Sequence, residues 1–314
     1  MSENLSITSN PTSSTSGSFR NATGPIGYGF TNDYMFRTIL QENERVLRGL
    51  ICAMLHLRAE YIQSIEIKNP IIPGDTFDAK EFILDIEITL NNAALINLEM
   101  QVVNEYNWPE RSLSYLCHRF DQLGKGQDYT WCKPAIHIGF LDFTPFPEYP
   151  EFYATYKLLN IKNQHLYSDK FILSVVDLTH IELATDEDKA YGIDCWARLF
   201  KSTTWEEIRM IAENNPILTE ASEKLYTYNA DEAARQRSQA RAEYLAHERA
   251  INSRLAKLSE ENAVLVSEKQ ALAAENQAMA AENQALTTEK QAMIAEIEHL
   301  RAQLAELEKP DVST

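Results

Sequence analysis

The sequence has no apolar run near the roughly eighteen residues that a membrane-crossing helix needs, so no transmembrane segment is expected. Its first twenty residues, MSENLSITSNPTSSTSGSFR, have no apolar centre, which argues against a secretory signal. Cysteine is scarce. Cys52, Cys117, Cys132 and Cys195 are widely spaced, and no CxxC pair occurs. They read as reduced thiols of a cytoplasmic protein, not as a zinc site or a disulfide set. There is no GxxxxGK[ST] phosphate loop and no GxSxG elbow. Positive charge is also in short supply. Lys and Arg number 29 against 46 Asp and Glu, for a net charge of -17. From Asp231 onward 15 acidic residues face 10 basic ones, so most of the excess lies upstream. This argues against a broad nucleic-acid-binding surface but not against a local basic groove, because net charge does not locate the charges.

What the chain does contain falls into four stretches. Residues 1–27 are rich in Ser, Thr, Asn and Gly and should be disordered. Residues 28–229 read as one folded domain of α/β or α+β class. Thr31, Asn32 or Asp33 can cap a first helix, and apolar positions from Phe36 to Leu55 recur at helical spacing in one broken helix or two short ones. Ile62, Ile65 and Ile67 point to a strand, followed by a turn over Asn69–Gly74. Phe82–Leu90 and Ala94–Val103 predict a hairpin turning at Asn91-Asn92. A helix follows from Trp108 to Leu123, with Leu113, Leu116, Cys117 and Phe120 on its apolar face. Ala135–Leu141 is an apolar run, interrupted by His137, of the kind that fills a central strand. Phe152–Lys157 and Phe171–Leu178 predict two more strands, and Ile193–Phe200, Trp205–Glu213 and Ile217–Tyr228 three short helices.

Residues 230–309 read as a helical linker and a coiled coil, and 310–314 as a short disordered tail. Leu258, Leu265, Leu272, Met279, Leu286, Met293, Leu300 and Leu307 keep strict seven-residue spacing as d positions. The a positions are Leu255, Asn262, Lys269, Asn276, Asn283, Lys290, Ile297 and Leu304. Asn at a favours two parallel strands in register, so a parallel homodimer is expected, on a rod of roughly 80 Å. Its polar core leaves room for exchange with a related coil.

The predicted hairpin carries the chemistry. Asp85 sits within Phe82-Ile83-Leu84-Asp85-Ile86, and Glu99 within Ile96-Asn97-Leu98-Glu99-Met100. Acids in apolar strands lose hydration and need a compensating partner. Two on paired strands would repel, with one kept protonated, unless a cation sits between them. A pair of carboxylates is a hard oxygen site suited to Mg²⁺ or Mn²⁺. Gln101 shares a face with Glu99, and Glu87 with Asp85. The same alternation of Asp85, Glu87 and Thr89 with Ile86, Ile88 and Leu90 also fits a solvated strand face.

An Asp-bearing strand, a turn and then Glu-x-(Lys or Gln) resembles the core of the PD-(D/E)XK nuclease superfamily. Asn32-Asp33-Tyr34-Met35-Phe36-Arg37 is similar to the "ND-x-x-FK" opening of the Rpn family, the recombination-promoting nucleases or PD-(D/E)XK family transposases. Asn97-Leu98-Glu99-Met100-Gln101 resembles its "(I/V)E(M/I)Q" strand. Arg111-Ser112-Leu113-Ser114-Tyr115 and Gly124–Tyr129 resemble its "R-x-x-x-Y … KG-x-x-Y" segment, and Lys133–Ile138 its "KPV-x-x-I" strand. The resemblance covers about Thr31 to Tyr228.

It implies a restriction-endonuclease-like core and metal-dependent hydrolysis of DNA, linked to recombination or mobile elements. Asp85 and Glu99 would hold Mg²⁺ or Mn²⁺. Gln101 stands where the superfamily has lysine and would orient a water without supplying charge. Asp33 or Glu44 from the first helices would complete the site, with Asp33 favoured by its motif. The alternatives are an inactive nuclease fold serving as a scaffold, or a toxin-like nuclease activated through the coil. Arg111 fits a phosphate contact or a surface ion pair, and Lys125 and Lys133 fit a DNA groove or solvated charges. His137 reads as a satisfied core histidine, and Trp131, Trp196 and Trp205 as core.

Overall fold

A computed structural model of the chain describes residues 18–68, 86–121 and 123–307. Asp85, the Asn69–Gly74 turn and residues 1–17 lie outside the described residues. The chain divides into two compact units, Met1–Ala250 and Ile251–Thr314.

The first unit opens earlier than composition implies. Phe19 is buried in the core, Ser18 Oγ donates to Glu223 at 2.6 Å, and Pro25 bridges to Thr204. The expected disordered tail therefore does not run to residue 27. One aromatic side chain in the core is enough to pin this segment. Two helices follow, α1 (Asp33–Glu42) and α2 (Glu44–Met54). Asn32 caps the first by accepting from the Met35 amide, and Asn43 caps the second through Val46. Asn43 has an extended backbone, so the cap of α2 is also the break between the helices.

Six strands form one mixed sheet: β1 (Ile65–Ile67), β2 (Ile86–Leu90), β3 (Ala94–Gln101), β4 (Ala135–Leu141), β5 (Tyr153–Lys157) and β6 (Phe171–Asp177). Their spatial order is β1-β2-β3-β4-β6-β5. β3, β4 and β6 run parallel, while β1, β2 and β5 pair antiparallel at the edges. The hairpin between β2 and β3 turns at Asn91 and Asn92, both with φ of 52°. Two consecutive left-handed residues make the mirror-image turn that matches strand twist, and asparagine tolerates it.

Period-two alternation gives the sheet two different faces. Ile96, Leu98 and Met100 of β3 and Ile136, Ile138 and Phe140 of β4 face the main core. Phe140 meets Phe36 of α1 and Phe200, whose ring centroids lie 5.6 and 5.3 Å away. The opposite face carries Leu95, Asn97, Glu99 and Gln101 on β3 and His137 and Gly139 on β4. α3 (Trp108–Phe120) covers it. Trp108, Ser112 and Leu116 are buried there, whereas Leu113 is exposed. The expected apolar face of this helix is thus displaced. It packs on a polar sheet surface, so its inward residues include Arg111, Tyr115 and Arg119.

Around the main core lie α4 (Asp186–Ala190), α5 (Ile193–Lys201), α6 (Trp205–Ala212) and α7 (Pro216–Ala230). Capping boxes at Thr185/Asp188 and Thr204/Glu207 fix the starts of α4 and α6. The last helix, α8 (Glu232–Leu307), begins inside this unit. Ala234, Ser238 and Leu245 are buried, so its first turns belong to the folded domain. The compact unit therefore ends about twenty residues beyond the composition boundary at 229/230. The second unit is helical as far as Leu307, and Leu258, Leu265, Leu272, Met279, Leu286, Met293 and Leu300 are exposed along it. Among the described residues, no helix is long and apolar enough to cross a membrane.

Candidate active site

β3 carries the candidate site. β3 lies inside the sheet, antiparallel to β2 and parallel to β4, and α3 covers the face on which its polar side chains stand. Asn97, Glu99 and Gln101 are all buried. Each is therefore held by specific partners, because burial without hydrogen bonds is costly.

Glu99 meets a cation and an imidazole. Arg111, in the first turns of α3, places Nε 2.8 Å from Glu99 Oε1. His137 on β4 places Nε2 3.6 Å from Glu99 Oε2, beyond hydrogen-bond range. The Asn97 amide nitrogen lies 3.1 Å from His137 Nδ1. An amide nitrogen only donates, so Nδ1 accepts and the ring proton sits on Nε2, facing the carboxylate. Burial, reinforced by the Arg111 charge, lowers the His137 pKa to about 3, so the ring is neutral. Tyr115 stacks over it at 5.9 Å with the rings 10° apart, and the Arg111 guanidinium lies over Tyr115. Burial opposes the charge on Arg111, but Glu99, Tyr115 and Glu105 outweigh it and raise its pKa.

Gln101 is two residues further along the same face. Its Nε2 donates to the Val103 carbonyl at 3.1 Å, and its Oε1 is buried with no hydrogen-bond partner among the described residues. A carboxylate and an orphaned amide oxygen at one strand end suit a hard cation. Among the described residues no group of three or more His, Cys, Asp or Glu side chains could hold a metal ion. Asp85, the other expected ligand, lies outside them. Toward the other end of α3, Arg119 pairs with Glu87 on the same face.

Asp33 has a partner of its own. Arg241 of α8 brackets its carboxylate, with Nε 2.8 Å from both oxygens and Nη2 2.5 Å from Oδ2. Burial pushes the Asp33 carboxyl above the usual range, against the pull of Arg241. Asn32 Nδ2 donates to the Ser238 carbonyl at 3.0 Å, and Arg237 Nη1 donates to Tyr34 Oη at 3.2 Å. The start of α1 is thus locked to the start of α8. Glu44, the other acid considered, pairs with Arg48 near the surface.

Sequence reasoning missed the Arg111–Glu99 and Asp33–Arg241 pairs. The first was open as one of two roles for Arg111. No local signal marks the second, since its partners are 208 residues apart. Trp131, read as core, is 67% exposed, whereas Trp196 and Trp205 are buried.

A mixed sheet with helices on both faces and Glu-x-Gln on a central strand fits a PD-(D/E)XK-like α/β core. The chain belongs to the PD-(D/E)XK nuclease family transposases, whose family model matches residues 30–253. That span includes the docked start of α8. No curated protein and no solved structure matches the chain.

Proposed function

We propose that the protein is a metal-dependent DNA endonuclease that acts in recombination or mobile-element biology. The carrying observation is the Glu99–Gln101 pair, a buried carboxylate and an orphaned buried amide oxygen on one face of β3. In this reading Glu99 and Asp85 hold a Mg²⁺ or Mn²⁺ ion. The chemistry such an ion supplies is a bound water of lowered pKa and stabilisation of charge on the phosphate. Gln101 orients the water through its amide. Arg111 supplies the counter-charge to Glu99 in the state described and, near the strand end, is suited to a phosphate. Asp33 is proposed as a further acid, held by Arg241 in this state.

The second unit is proposed to form a parallel homodimeric coiled coil. Its seven exposed leucines and methionines at heptad spacing support this, because such a stripe needs a partner. Pairing would bring two sites to one duplex.

A second reading, an inactive nuclease fold acting as an oligomeric scaffold, is favoured by the ion pairs on Glu99 and Asp33. Incubation with supercoiled plasmid and Mg²⁺ separates the two. The endonuclease nicks the plasmid, and Asp85→Ala and Glu99→Ala do not. Equal nicking by both variants would refute the proposed site, and a wild-type protein inert with both Mg²⁺ and Mn²⁺ supports the scaffold.

A further inference from the structure

The sheet face that carries Glu99 also bears a cavity at its other end. It has a volume of about 460 Å³ and is lined by Thr89 and Asn92 of the hairpin, Leu95 of β3, Lys68, Trp131 and Lys133, among others. Thr89 pairs with Leu95 in the β2–β3 register, and Leu95 alternates into line with Asn97 and Glu99. Glu99 lies four residue steps along the strand from Leu95, a distance of roughly 13 Å.

Three features make this cavity unlike the rest of the chain. The protein carries a net charge of -17, yet the lining contains two lysines and no acidic side chain among the described residues. Lys133 Nζ is held 3.0 Å from Asn92 Oδ1, and Lys68 Nζ lies 2.6 Å from Glu66, which is outside the lining. Trp131 is exposed, an unusual place for an indole. Its segment is fixed from behind, because Lys170 Nζ donates to the Thr130 and Cys132 carbonyls at 3.2 and 2.8 Å. Thr89 is only 4% exposed, and its Oγ1 is buried without a hydrogen-bond partner among the described residues. A presented aromatic face, two ammonium groups and an unsatisfied hydroxyl match a base, a phosphate and a polar base or sugar edge.

We propose that this cavity binds a single nucleotide, with the base on Trp131, the phosphate at Lys133 and Lys68, and Thr89 satisfied by the ligand. In a DNA strand lying along β3 it would be a substrate subsite roughly four B-form rises from the Glu99 end. The choice of ligand rests on the nuclease reading, but binding is measured without cleavage.

The test uses the full chain in EDTA, where no cutting occurs. A labelled dodecathymidylate is titrated by fluorescence anisotropy, and dTMP by quenching of tryptophan emission, to which Trp131 is the exposed contributor. Saturable binding is expected, with Trp131→Ala and Lys133→Ala each weakening it about tenfold and Trp131→Phe retaining most of it. Trp131 is exposed and Lys133 partly so, and an unchanged urea midpoint verifies that both variants are folded. Tight binding of the oligonucleotide with weak dTMP assigns the cavity to a strand, and equal binding assigns it to free nucleotide. No saturable binding of either probe, or wild-type affinity in both alanine variants, overturns the proposal. Plasmid nicking with Mg²⁺ is scored separately, so a cavity that binds in a protein that cannot cut leaves this inference standing while the nuclease reading falls.

Discussion

Arg111 Nε lies 2.8 Å from Glu99 Oε1, so the carboxylate on the central strand is neutralised by a helix that crosses its own sheet face. The Glu99 side chain is buried and that of Arg111 about one-third exposed. Removing the cation leaves a buried charge behind. Arg111→Ala should destabilise the protein by about 1–3 kcal/mol in urea unfolding. If a divalent ion shares Glu99, Mg²⁺ should raise the Tm of Arg111→Ala more than that of wild type. An equal Mg²⁺ response in both proteins would count against a shared site.

Gly139 faces Trp108 across the α3–sheet contact. A Cβ there would come within 2.2 Å of Trp108 Cη2 and 2.3 Å of Cζ2. The indole is buried and cannot swing out. Gly139→Ala should therefore cost about 2–4 kcal/mol, at the upper end of overpacking effects. Adding Trp108→Leu should recover part of the loss, which a double-mutant cycle in denaturant would measure.

His137 is neutral because it is buried, with a pKa of about 3 in the fold. Unfolded, it titrates near 6.5. Its pKa is depressed on folding, so its contribution to stability is full above about 6.5 and falls as pH drops toward 3. Between pH 7 and pH 5 in EDTA, this residue should account for a loss of about 2 kcal/mol. His137→Gln should flatten that part of the stability–pH curve. An unchanged slope would show that the ring is charged or solvated in the fold.

The Asp33–Arg241 pair ties α1 to the base of α8. Both side chains are largely buried, at 3% and 13% exposed. Arg241→Met should destabilise by about 3–5 kcal/mol, as for other buried pairs that lose one partner. The loss should be smaller in an Asp33→Asn background, because no buried carboxylate is then stranded. Additive single changes would mean that the two groups do not interact.

In the second unit, Asn262, Asn276 and Asn283 occupy a positions of the heptad repeat. If the unit pairs in parallel, Leu265→Glu with Leu286→Glu should convert a dimer to a monomer by light scattering. Asn276→Ile should raise the melting temperature and loosen the choice of oligomer number. A wild-type chain that is monomeric at tens of micromolar would defeat the homodimer.

Local pattern was enough to read several parts of the fold. Ala135–Leu141 is a buried strand as written, because a run this apolar suits only a central strand covered on both faces. Asn91-Asn92 turns a hairpin because both residues tolerate positive φ. Asn32 and Asn43 cap the first two helices because their side chains reach the first free amides. The Glu-x-Gln spacing placed Glu99 and Gln101 on one face, since side chains alternate along a strand.

Tertiary packing decided the rest. The apolar side of α3 was misplaced because helical periodicity locates a stripe but not the surface it meets, and here that surface is polar. A large aromatic such as Trp131 usually belongs to a core, but here it is exposed, in a segment whose carbonyls bond to Lys170. The folded unit extends into α8 because Ala234, Ser238 and Leu245 bury one side of a helix whose composition belongs to the coil. The partners of Glu99 and Asp33 arrive from 12 and 208 residues away. Which residues favour a strand, a turn, a cap or a heptad is written in the chain, because those preferences act over a few residues. Which charges meet is settled by the fold, because burial and pairing depend on distance in space.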